Sequence, residues 1–235
     1  MSNEFAHAVV TGTSSGIGQA IAQRLLTDGW RVSGLDIAPS LIVHTAFEAV
    51  QVDLMDDSAT DQVVHELLQR STPTALVHAA GIMRAAPLGE LFSEDGVGMW
   101  RLHVDAITRL ANAIVPAMRA VKCGRVVLIG SRVARGMAGR SQYAATKAAL
   151  VSLTRSWAAE VVACGITVNA VSPAATATAM LDDPARKTVA PKLPPLGRLI
   201  QPQEIAATVA FLLSIDAAAI TGQEIQICGG ASLLV

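Results

Sequence analysis

Aromatic residues are nearly absent from this chain: four Phe, three Trp and a single Tyr, 3% of the sequence. A core must therefore come from Ala, Val, Ile and Leu, and an apolar content of 51% is ample for one. A dominant sign of charge is missing too. Eighteen Lys and Arg stand against 19 Asp and Glu, so no global field draws nucleic acid or an anionic membrane, and small partners are expected. No apolar run approaches the roughly 20 residues of a membrane span. The N-terminal MSNEFAHAVV also lacks the basic and apolar regions of a signal peptide, so a cytoplasmic location is expected. Cys123, Cys164 and Cys228 are far apart, odd in number and without a CxxC pair. They read as reduced thiols, not as a disulfide framework or a metal site.

What the chain does contain is alternation. Short apolar runs, HAVV (7–10), RVSGL (31–35), AVQV (49–52), ALVHA (75–79), RVVLIG (125–130), ITVNAV (166–171) and EIQI (224–227), are separated by helical patterns. The helical stretches begin at IGQAIAQRLL, DSATDQVVHELL, MWRLHVDAITRL, YAATKAALVSL and PQEIAATVAFLL. Such an order predicts a single α/β domain over 1–235, with a doubly wound, seven-stranded parallel sheet and helices on both faces. One irregular stretch, 173–200, holds five of the ten prolines. It follows a strand and so leaves the sheet at its carboxyl edge, where ligands bind in open α/β sheets. It is expected to be a substrate loop.

After the first strand, VVTGTSSGIGQAIA opens a helix with Gly12, Gly16 and Gly18, and with Ser14, Ser15 and Ile17 between them. Glycines at such a turn let backbone approach a pyrophosphate, which the helix N-terminus then stabilises. The loop has no GK[ST], which disfavours a nucleoside-triphosphate site. Asp36 ends the second strand, eighteen residues after Gly18. An acidic residue there can hydrogen-bond the adenosine ribose hydroxyls and repel a 2′-phosphate. Two like charges about 4 Å apart cost on the order of 4 kcal/mol at an effective dielectric of 20. Neither Ser15 nor Ile37 and Ala38 supplies a compensating cation, so NAD is expected over NADP. Asp53, followed by Leu54, ends the third strand, to meet an adenine edge or to cap the next helix. Ala79, Ala80 and Gly81 end the fourth, where small residues admit a flat cofactor.

The only tyrosine, Tyr143, lies four residues before Lys147 in YAATK, on one face of a predicted helix and twelve residues after Ser131. Moving a hydride at a carbinol carbon needs a proton moved at its oxygen. A free phenol titrates near pH 10, and an ammonium on the same helix face favours phenolate.

Taken in order, TGTSSGIG, Asp36, HAAG, the serine of IGS, YAATK and VNAVSPAATAT resemble the short-chain dehydrogenase/reductase family over nearly the whole chain. The resemblance implies a Rossmann-type oxidoreductase that interconverts a secondary alcohol and a ketone. Tyr143 would be its general acid/base, Ser131 the hydroxyl that orients the substrate oxygen, and Lys147 a group that also holds the nicotinamide ribose. Pro173 and Thr178 would border the nicotinamide, Thr178 at its carboxamide. The resemblance also implies a homo-oligomer, a tetramer.

Departures from the family pattern are specific. Ala174 follows Pro173 where the family has glycine, Ala79 replaces the second asparagine of an Asn-Asn-Ala-Gly motif, and Cys228 replaces a frequent aspartate. His103 falls where the family has a catalytic asparagine whose carbonyl helps hold a relay water, with Asp105 as the other possible register. A histidine there adds a ring that would charge in mild acid. Arg84, Arg132, Arg135 and Arg140 all follow strands at the carboxyl edge and could meet an anionic substrate. Within the family, a 3-oxoacyl thioester reductase is an alternative, against which Asp36 weighs because those reductases usually take NADPH. Outside enzymes, the alternative is a nucleotide-binding assembly or regulatory module with weakened chemistry.

Overall fold

A computed structural model describes residues 6–181 and 192–233. Seven parallel strands lie in the order β3-β2-β1-β4-β5-β6-β7: β1 His7–Thr11, β2 Arg31–Asp36, β3 Phe47–Gln51, β4 Ala75–His78, β5 Gly124–Ile129, β6 Ile166–Pro173 and β7 Glu224–Ile227. The helices are α1 Gly16–Thr27, α2 Asp57–Arg70, α3 Ser93–Trp100, α4 Ala106–Ala120, α5 Ser141–Val161 and α6 Pro202–Leu213.

Strand side chains alternate faces, and the core divides accordingly. Ala8, Val10, Ala75, Val77, Val127 and Ile129 join Ile21 and Leu25 of α1 and Val209 and Leu212 of α6. Val9, Leu76, Val126, Leu128 and Val168 face the other way, against Leu67 of α2, Leu110 and Ile114 of α4 and Leu150 of α5. Strands buried on both faces must read as continuous apolar runs. That is why the sequence places all seven to within a residue or two.

Helix ends follow local chemistry. The Asp56 carboxylate accepts from the Ala59 N–H and caps α2. At α6, Gln201 and Glu204 form a capping box with Pro202 at the helix start. The segment expected as one helix through His103 is interrupted. A π-helical turn, Arg101–Asp105, joins α3 to α4. No helix among the described residues is long and apolar enough to cross a membrane.

The chain reverses its winding between β1 and β4. Loops leaving those two strands part there, and the crevice at their carboxyl ends is the place for a ligand.

Candidate active site

The crevice is a cavity of about 310 Å3. Its walls include Gly12, Ser14, Ser15, Gly16, Ile17 and Gly18 from the first turn, Asp36, Asp53 and Leu54 from the second and third strand ends, Ala79, Ala80 and Gly81 after β4, and Thr178. The glycines are set by space. Gly12 has φ +77°, and a Cβ on it would lie 2.8 Å from the Ala80 nitrogen; a Cβ on Gly18 would strike the Gly12 carbonyl. Loop backbone is thereby brought close to the start of α1, as a pyrophosphate requires. Asp36 is held by two backbone donors, Ser14 N–H at 2.8 Å and Ala38 N–H at 2.9 Å. Among the described residues, no Arg or Lys lines the cavity. Cradle, helix start and acidic rim fit a nicotinamide dinucleotide.

Asp53 accepts from the Met55 N–H at 2.9 Å and lines the cavity. Capping the following helix, the other role open to it, belongs to Asp56. Ala174 carries no strain, since Lys122 is the only non-glycine residue with positive φ among those described.

Tyr143 and Lys147 sit in the first two turns of α5, both buried. Lys147 Nζ lies 5.8 Å from the Tyr143 ring centroid and donates to the Ile129 carbonyl at 2.9 Å. Burial pushes the Lys147 ammonium down to about 7. The ammonium expected from sequence to favour the phenolate is thus held less firmly than that of an exposed lysine. Ser131, at the end of β5, accepts from the Val133 N–H at 3.2 Å. Ser131 and Tyr143 together line a second cavity of about 140 Å3, and Pro173, Ala174, Ala175, Met180 and Lys192 supply another wall. Met180 borders both cavities. The described ends of the 173–200 stretch thus flank both; its residues 182–191 lie outside the described residues.

The two candidates for the family's asparagine position differ in burial. His103 is fully buried, edge-on to Tyr143 with ring centroids 5.7 Å apart, whereas Asp105 is exposed. Thr146 Oγ1 donates to the Tyr143 carbonyl (2.9 Å), so it accepts from His103 Nδ1–H (2.8 Å). His103 Nε2 then keeps its lone pair for the Ile82 N–H at 3.1 Å. Burial, Lys147 and His78 hold the ring well below its usual pKa. An added proton would sit on Nε2 and point at the Ile82 N–H, so burial and Lys147 move charging of the ring to more acid pH than for a free imidazole.

Sequence reasoning missed His78. It is fully buried, with Nε2–H donating to the Leu102 carbonyl (3.1 Å) and Nδ1 accepting from the Thr11 hydroxyl (3.0 Å). Thr11 Oγ1 in turn accepts from the Ala79 and Ala80 N–H groups. With Ala79 lacking an amide, His78 and Thr11 tie the end of β4 to β1 and to the π-helical turn. π turns of this kind recur at functional sites. The signal available in sequence was a polar residue inside the apolar run ALVHA.

Of the four arginines, Arg132 and Arg140 line the Tyr143 cavity. Arg84 instead faces Asp95 at 3.9 Å, and Arg135 is exposed.

A family model described as Enoyl-(Acyl carrier protein) reductase matches residues 12–232. The chain is 35% identical over 241 residues to the Salmonella typhimurium 3-oxoacyl-[acyl-carrier-protein] reductase FabG, covering 98% of each. Among solved structures, the Thermoplasma acidophilum aldohexose dehydrogenase superposes with a TM-score of 0.90 at 25% identity, covering 98% of this chain and 95% of that one. A Brucella melitensis protein described as ribose-5-phosphate isomerase gives 0.88 at 29%, covering 97% and 92%. One fold hosts many chemistries, so the shape alone does not choose between these activities. Matched over nearly its whole length in sequence as well as fold, the chain belongs to the short-chain dehydrogenase/reductase family of NAD(P)-dependent oxidoreductases.

Proposed function

We propose that the protein interconverts a secondary alcohol and a ketone with NAD(H), using Tyr143, Ser131 and Lys147. The observation that carries this reading is the placement of Tyr143. It lines the smaller cavity with Ser131 and stacks one turn from Lys147, beside the larger glycine-walled cavity. A bound nicotinamide supplies or accepts the hydride; the rest falls to this chain. The Ser131 hydroxyl orients the substrate oxygen. Tyr143 Oη gives that oxygen a proton during reduction and removes it during oxidation. Lys147, already spending one donor on Ile129, has two left for the phenol side and for the nicotinamide ribose. Thr178 and Pro173 border the nicotinamide end.

NAD is favoured over NADP by Asp36 and by a cavity wall that holds no Arg or Lys among the described residues. A 3-oxoacyl-[acyl-carrier-protein] reductase is the second reading, favoured by relatives of that name at 35% identity over almost the whole chain. The first reading is completed by a cytoplasmic homotetramer. Tyr143→Phe tests it: turnover should fall by about 10²–10⁴-fold while NAD binding, followed by fluorescence, persists. A Phe variant that keeps most of its turnover under chemistry-limited conditions excludes the role.

A further inference from the structure

Among the described residues, the charged groups on the walls of the Tyr143 cavity are all positive: Arg132, Arg140 and Lys192, with no Asp or Glu. Arg132 NH1 donates to the Ala231 carbonyl at 3.2 Å. The Nε atoms of both Arg132 and Arg140 are buried without a hydrogen-bond partner among the described residues. A buried guanidinium without a full set of partners is costly, and two guanidiniums lining one cavity repel each other. Arg140 sits only three residues before Tyr143. Burial lowers its pKa while Tyr143 raises it and Arg132 lowers it again, so the three groups share one electrostatic environment.

We infer that Arg132 and Arg140 form a carboxylate site, and that the substrate is a small oxo or hydroxy acid whose carboxylate lies beside its reacting carbon. The inference rests on the oxidoreductase reading for its reacting carbon but not for its anion site. A guanidinium fork matches a carboxylate with paired, charge-assisted hydrogen bonds. The cavity volume of about 140 Å3 suits a short chain; liquid water takes roughly 30 Å3 per molecule. A phosphate on a pantetheine arm is a different source of negative charge. It is separated from its thioester by a long chain, whereas these arginines stand at the tyrosine itself.

The test has two arms. In the first, 2-oxobutanoate, 3-oxobutanoate and 4-oxopentanoate are compared with their methyl esters, with 2-pentanone and with 3-oxobutanoyl coenzyme A, by loss of reduced-cofactor absorbance. One free acid should exceed its ester in kcat/KM by about 10- to 100-fold, the scale of a charged hydrogen bond. Arg140→Gln and Arg132→Gln should each raise KM for that acid about tenfold or more beyond any change they cause with the esters, and Arg140→Lys should recover part of the loss. In the second arm, calorimetry with NAD present should show butanoate binding, absent for butanamide and for both Gln variants. Esters reduced as well as acids, or equal losses on both, overturn the inference, as does a preference for the coenzyme A thioester. Missing butanoate binding overturns the anion site. Turnover of no ketone at all, with butanoate still bound through the arginines, overturns the oxidoreductase reading and leaves the anion site standing.

Discussion

At the scale of single residues, the site is a set of buried polar groups whose hydrogen bonds fix their protonation. His103 is the clearest. Nδ1–H is committed to Thr146 and Nε2 to the Ile82 N–H, so the imidazole stays neutral across the working range. It positions Thr146, which holds the Tyr143 carbonyl, and its lowered pKa argues against a role as proton carrier. His103→Asn should therefore stay active within about tenfold, because an amide can replace one of the two bonds at a cost near that of a single hydrogen bond. Its pH–rate profile should overlay that of the unmodified enzyme from pH 5 to 8, with the limb near pH 7 belonging to Lys147 in both. An acidic limb present only in the unmodified protein would show that the ring titrates. Tyr143, Lys147, Ser131 and the loop glycines were legible in sequence because their chemistry demands residue types at fixed spacings. His78 was not, because its partners, Thr11 and Leu102, are brought to it by the sheet and by the π turn.

At the scale of elements, the end of β2 carries the proposed preference for NAD. Asp36 is locked by the Ser14 and Ala38 N–H groups, so it cannot swing away from a 2′-phosphate. Asp36→Ala combined with Ile37→Arg should move the kcat/KM ratio from NAD(H) towards NADP(H) by at least tenfold, given a repulsion on the order of 4 kcal/mol. Equal efficiency with both cofactors in the unmodified enzyme contradicts this reading. Helix α5 makes a second statement. Its buried face carries Tyr143, Lys147, Leu150 and Thr154, while Ala145, Ala148, Ser152 and Ala159 remain exposed on the other side. Sequence showed that small residues wrap more of this helix than one core stripe needs. Only the packed sheet shows which of them the monomer leaves uncovered.

At the scale of the whole molecule, that uncovered face predicts self-association. Light scattering should report a homo-oligomer at micromolar concentration, and Ala148→Arg should dissociate it by placing a long cation where two helices approach. A monomeric unmodified protein rules this out. Acid stability is the second global property. Burial lowers His7 to about 4 and His78 to about 3, and holds His103 well below 6.5. The native state refuses protons that the unfolded chain accepts below pH 6.5, so the histidine contribution is full above that pH and is lost as pH falls, while Lys147, lowered from 10.5 to about 7, gives a separate loss as pH falls between those two values. The Arg198 side chain holds the exposed Glu204 carboxylate at about 2, and that pair adds acid sensitivity only below 4.5. Urea midpoints should therefore fall steadily from pH 6.5 to 4.5, each histidine contributing on the order of 1 kcal/mol per pH unit. A flat midpoint across that window contradicts the neutral assignments.

Sequence by itself located the strands along the chain and their parallel type, and it pointed to the nucleotide end and the Ser131–Tyr143–Lys147 set on which the proposed function rests. Each of these is a local pattern: apolar runs buried on both sheet faces, glycines where a side chain would collide, a phenol and an amine one helical turn apart. Tertiary structure alone decided that His103 rather than Asp105 faces the tyrosine, that Asp56 rather than Asp53 caps α2, and that Arg132 and Arg140 rather than Arg84 and Arg135 look into the substrate cavity. Which of several similar side chains turns inward depends on partners distant in sequence, on burial and on the hydrogen bonds left unfilled, and those exist only once the sheet has formed.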